Sequence, residues 1–109
     1  MMKQSIWISF DLGVRGDYEG LYQWLDSKGA IECGDNFAFF KYESSGDIIE
    51  NLKNEIEESI EINKKTRIYI IYRNGVDAKM KGRFIFGTRK AAPWTGYAEH
   101  QEFIEEEEG

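Results

Sequence analysis

Ile6, Ile8 and Phe10 alternate with Trp7, Ser9 and Asp11, so a strand over residues 5–12 can turn one apolar face to a core and present a mixed face opposite. The segments that follow narrow the fold further. Gly13-Val14-Arg15-Gly16 breaks the strand, and Asp17 stands where its carboxylate can accept from the free N–H groups of a helix's first turn. Tyr18, Leu21, Tyr22 and Leu25 then recur at helical spacing up to Gly29. A short strand over 30–33 and a longer one over 36–43 flank Gly34-Asp35, which has the composition of a hairpin turn. Ser44 and Asp47 have capping-box spacing, with Asp in place of Glu or Gln. They precede a second helix with Ile49, Leu52, Ile56 and Ile60 as its buried stripe and Glu50, Glu57, Glu58 and Glu61 as its solvated one. Residues 66–72 predict a strand of β-branched and aromatic side chains, Asn74-Gly75 a turn, and 83–86 a last short strand. The order β-α-β-β-α-β is the split βαβ pattern of an α+β fold, in which two helices cover one face of an antiparallel sheet. Here an extra C-terminal strand is added to it.

A chain of 109 residues holds one core, and residues 1–97 are expected to form a single domain. With 41% hydrophobic residues and sixteen aromatics, the composition is globular rather than disordered. No run approaches the roughly 18 apolar residues of a membrane span, and Ser9 and Asp11 interrupt the first apolar stretch before a signal-peptide core forms. A cytoplasmic location without membrane contact is the expectation. One cysteine, Cys33, excludes an intramolecular disulfide, and with one histidine, His100, it cannot build a four-ligand zinc site. Glu32 and Asp35 beside Cys33 disfavour a thiolate, and no serine or cysteine is placed to form a triad with His100. Gly13-Val14-Arg15-Gly16 is too short for a phosphate-binding P-loop and lacks its lysine.

The uncovered sheet face would display alternate residues, expected to include Trp7, Ala38, Phe40, Tyr69 and Ile71. A patch of that size is unusual on a lone chain. Two copies pairing face to face, with the fifth strand crossing to the other copy's sheet edge, would hide both patch and edge. A homodimer is therefore expected.

Net charge is −6, which taken alone argues against nucleic acid, but the two signs are segregated. Residues 64–90 hold nine cations against Asp77 alone. From this window Arg67, Arg73, Lys79, Lys81, Arg83, Arg89 and Lys90, with Trp94 from the following loop, form the candidate nucleic-acid-binding set. Arg67, Tyr69, Ile71 and Arg73 share one side of their strand by alternation. Tyr69, Tyr72, Phe84, Phe86, Trp94 and Tyr97 are the candidate stacking rings. The competing readings are ordinary solvated charges that protect edge strands, and a Trp94 that plugs a gap in the core. Residues 98–109, with six carboxylates in the last eleven positions, are expected to be a mobile acidic tail. If that tail competes for the cationic surface, removing residues 99–109 should raise affinity for single strands at low salt.

The residues Ile8-Ser9-Phe10-Asp11-Leu12, then Tyr18-Glu19-Gly20-Leu21-Tyr22, and the spacing to Asp47-Ile48-Ile49 and Ile68-Tyr69-Ile70-Ile71 carry a resemblance over residues 5–73. The chain resembles the ferredoxin-like group that contains the second CRISPR spacer-acquisition protein, virulence-associated protein D and the SinR-like proteins, the last most of all. The resemblance implies a ferredoxin-like fold and a dimer. It also implies that Asp11, matching an aspartate that ends strand one near the dimer axis, is a metal ligand for phosphodiester hydrolysis. Two copies of Asp11 could hold Mg²⁺, which accepts one or two carboxylates with water in its other positions. The simpler role is that Asp11 bonds local backbone N–H groups and fixes the turn.

The expected function is thus a small dimeric ferredoxin-like module that engages nucleic acid through residues 64–97, with no cofactor and no catalysis or only weak catalysis. One alternative is a Mg²⁺-dependent nuclease with Asp11 from both subunits as its catalytic group. The other is an interaction subunit that receives an acidic protein.

Overall fold

The computed structural model describes residues 2–74 and 77–98. Apart from Ala98, the acidic segment 98–109 lies outside the described residues, as do Gly75 and His100. Seven elements follow in order: β1 (Met2–Asp11), α1 (Tyr18–Ser27), β2 (Ile31–Gly34), β3 (Phe37–Ser44), α2 (Ile48–Ser59), β4 (Arg67–Arg73) and β5 (Met80–Phe86). The five strands form one sheet in the order β2-β3-β1-β4-β5, every neighbouring pair antiparallel. The fold is mixed α+β.

β1 is the centre of the sheet, and its alternation decides the layers. Ile6, Ile8 and Phe10 turn to the helices and are buried, with Leu12 just beyond the strand; Ala38, Phe40 and Tyr42 of β3 and Ile68 and Ile70 of β4 lie beside them. Leu21, Trp24 and Leu25 from α1 and Leu52, Ile56 and Ile60 after them close this core from above. Asp17 caps α1, its Oδ1 accepting from Gly20 N at 2.9 Å, and its Oδ2 accepts from Glu61 N at 3.0 Å. One carboxylate therefore ties the start of α1 to the residues after α2. A second tie is Glu55 of α2, which accepts from Trp24 Nε1 of α1 at 3.1 Å and from the Tyr42 hydroxyl of β3 at 2.7 Å, with Lys28 Nζ 2.7 Å away. Burial alone would raise the Glu55 carboxyl, but the bonds from Lys28, Tyr42 and Trp24 outweigh it and hold the group below the ordinary carboxylate range.

Three expectations need correction. Ala38 and Phe40 are core residues, 6% and 2% exposed, and the open face carries Phe37 and Phe39 instead. Phe39 pairs with Trp7 while Ala38 pairs with Ile8, so the register sets the two sides of β3 opposite to expectation. The fifth strand is longer than expected and pairs with β4 of its own chain. Finally, Asp47 itself caps α2, its Oδ1 accepting from Ile49 N and Glu50 N; Ser44 ends β3 and accepts from Asn51 Nδ2 at 2.6 Å.

Candidate functional site

Among the described residues no helix lies over the other face of the sheet, and the side chains there fall into rows across the strands. Ile31, Phe39, Trp7, Ile71 and Gly82 stand side by side on β2, β3, β1, β4 and β5. Phe37, Ser9, Tyr69 and Phe84 form the next row. Trp7 and Phe39 meet with ring centroids 5.0 Å apart, and Tyr69 and Phe84 meet edge to face at 4.9 Å. These four rings are half-buried in the single chain, which leaves part of each open to a ligand. Gly82 has a steric reason: a Cβ there would collide with the Tyr69 ring, so its bare backbone makes room for Tyr69 to lie across β5.

Cations bracket the rings at both ends of the strands. At one end Lys3, Lys41 and Arg73 line a concavity of about 470 Å³ that reaches Trp7 and Met80. At the other, Arg67 and Arg89 lie over the aromatic pair: the Arg67 guanidinium is 5.2 Å from the Phe84 centroid, and that of Arg89 is 5.4 Å from Phe84 and 5.6 Å from Tyr69. Arg89 gets there because Gly87, at φ +77°, turns the chain back after β5 and because Arg67 Nε donates to Thr88 O at 3.1 Å. From Arg67 to Arg73 the strand spans about 20 Å.

Asp11 ends β1 opposite Arg67, its Oδ1 accepting from Gly13 N at 3.1 Å and its Oδ2 lying 3.8 Å from an Arg67 nitrogen. It holds the turn at Gly13, as the simpler role requires. Among the described residues no group of three or more histidine, cysteine or acidic side chains could hold a metal ion. Asp11 instead borders a cleft lined by Arg15, Lys64, Lys65, Arg67 and Lys90. Within one chain Asp11 is a single carboxylate among five cations, whereas Mg²⁺ needs local negative charge to offset its dehydration.

The candidate nucleic-acid residues do not gather in one place. Arg67, Arg73 and Arg89 reach the open face, and Lys90 lines the cleft beside Asp11. Lys81 and Arg83 pair with Tyr72 and Ile70 and so project to the opposite side of the edge strand. Lys79 lies in the β4–β5 connection, its backbone O accepting from Asn74 N. Trp94 is 72% exposed and fills no gap in the core. Of the expected stacking rings, Phe86 is buried and Tyr72 packs against the core, while Tyr69 and Phe84 are on the open face. Phe37, Phe39, Lys3 and Lys41 complete that face and were not foreseen as part of the site. The signal for the phenylalanines was Lys41: a charged residue two positions after Phe39 marks the outward side of β3.

No family model, no curated protein and no solved structure matches the chain. The resemblance over residues 5–73 rests on its strand-Asp-helix residues alone.

Proposed function

We propose that this chain is a ferredoxin-like module that binds single-stranded nucleic acid across the uncovered face of its sheet and does no chemistry on it. The strand order β2-β3-β1-β4, with one helix between β1 and β2 and another between β3 and β4, supports the split βαβ topology, with β5 appended beside β4. The observation that carries the function is the layout of that face: aromatic rows on its middle strands, cations at both ends of those strands, and a span of about 20 Å between them. Unpaired bases stack on sheet aromatics with little regard to sequence, each contributing about 1–3 kcal/mol, while Lys and Arg neutralise the phosphates. A duplex keeps its bases inside and cannot use the rings.

The homodimer expected from the open sheet would compete for the same surface. Lys3, Lys41, Arg67, Arg73 and Arg89 outnumber Asp11 and Glu43 there, so two such faces would press net positive charge together. An anionic occupant suits the face better than a second copy.

The test is titration of dye-labelled single-stranded RNA and DNA, matched duplexes and poly-glutamate, from about 50 to 200 mM salt. Single strands should bind in preference to duplex, quench tryptophan fluorescence and show a steep salt slope. Equal binding of poly-glutamate would assign the face to an acidic protein, and a dimer that persists with bound strand excluded would assign it to a second copy.

A further inference from the structure

Beyond the rings, at the end of the sheet where β1 finishes and β4 begins, the surface opens into a cleft of about 620 Å³. Three separate segments line it: Asp11 to Arg15 after β1, Asn63 to Lys65 before β4, and Lys90 after β5, with Arg67 from β4 itself. Asp11 and Arg67 also line the hollow over Tyr69 and Phe84, so the cleft continues the aromatic face. Among the described residues its positive charge exceeds its negative charge. Asp11 is paired with Arg67, and among the described residues Arg15, Lys64, Lys65 and Lys90 have no ion-pair partner. The wall that carries the two lysines is fixed in advance: Lys65 N donates to Asn63 Oδ1 at 2.7 Å, Asn63 N to Thr66 Oγ1 at 3.0 Å and Thr66 N to Asn63 O at 3.1 Å. The facing loop comes close enough that a Cβ on Gly13, at φ +80°, would strike the Lys65 side chain. Four cations around one hollow, next to a surface suited to bases, suit successive phosphate groups.

We infer that this cleft takes the sugar-phosphate backbone of the strand as it leaves the sheet, so that the binding site has two parts: a face for bases and a cleft for phosphates. The inference rests on the strand-binding reading above. It assigns Arg15, Lys64 and Lys65 to the site.

The experiment uses the full chain with labelled oligopyrimidines of about four and about twelve nucleotides, the first long enough for the face alone and the second for face and cleft. In the variant Lys64→Ala/Lys65→Ala, both at exposed positions, the short strand should bind as to wild type. The long strand should lose much of its extra affinity, and its log-log salt slope should fall by about 1.4, since each neutralised phosphate of a single strand contributes about 0.7. Arg15→Ala alone should lower the slope by about 0.7. A terminal phosphate added to the short strand that restores the missing affinity in wild type, and not in the variant, identifies the occupant as a chain end; restoration by length alone identifies internal backbone. Unchanged affinity and slope for the long strand overturn the cleft while leaving the face intact. Failure of both strands to bind wild type overturns the face and the cleft together.

Discussion

Trp7 on β1 and Phe39 on β3 stand directly opposite each other on the sheet face turned away from α1 and α2, their rings 5.0 Å apart and tilted by 46°. Two large rings side by side at a sheet centre normally mark a core, yet both stay half-exposed. Trp7→Ala should weaken single-strand binding by about 1–3 kcal/mol, the worth of one stacked base. Its cost in stability should stay below the roughly 3–5 kcal/mol of a fully buried aromatic. Trp7→Phe should restore most of the binding. Titration with single strands and denaturant unfolding of the same samples check both halves; binding that follows stability alone would assign the pair a purely structural role.

Asp11 gives a prediction of opposite sign to that of a metal-dependent nuclease. Asn at this position still offers an oxygen to Gly13 N, so the turn survives Asp11→Asn, while the carboxylate facing Arg67 is gone. Binding of single strands should tighten, because the cleft loses its one carboxylate. Loss of a Mg²⁺-dependent cleavage in this variant, with cleavage present in the wild type, would return Asp11 to catalysis.

Glu55 makes stability depend on acid. Its carboxyl lies below its ordinary value of 4.5 in the folded chain, so its stabilisation is in full force above that pH and is lost as pH falls through the lower folded value. Tyr42 has the reverse sign: burial, then its bond to Glu55, raises its hydroxyl above 10.0, so its stabilisation is complete below that pH and is lost on the alkaline side. Glu55→Gln should flatten the acid limb of a plot of thermal midpoint against pH and cost about 1–2 kcal/mol at neutrality, since charged hydrogen bonds are replaced by neutral ones.

Gly82 and Tyr69 form a coupled pair. Gly82→Ala places a methyl where the Tyr69 ring lies, so the ring must leave β5 and its contact with Phe84. The expected cost is about 1–3 kcal/mol, most of which should vanish when Gly82→Ala is made in a Tyr69→Ala background. Equal costs in both backgrounds would locate the strain in the backbone of β5.

The layers of the fold were legible because β1 alternates cleanly and because Asp17 stands one residue before a helical stripe. β3 was read on the wrong side because Phe37, Ala38, Phe39 and Phe40 are all apolar, and a continuous run does not say which residues face in. Its pairing with β1 resolves that. The basic window was visible as charge, but its division was not: a register shift between Ile68 and Tyr69 decides that Lys81 and Arg83 point away from Arg67 and Arg73. The cleft was out of reach altogether, since Arg15, Lys64 and Lys90 meet only when three distant loops close on the end of β1.

β1 pairs on one side with residues 37–44 and on the other with residues 67–73. During synthesis β1, the earliest of the five strands, therefore waits for β4 before both its flanks are occupied. At roughly 5–20 residues per second, it waits for on the order of several seconds with Ile6, Ile8 and Phe10 unsheltered while β4 is still being made. The central place of β1 thus makes the nascent chain most prone to self-association, and most dependent on chaperones, before its second helix has found a sheet to cover.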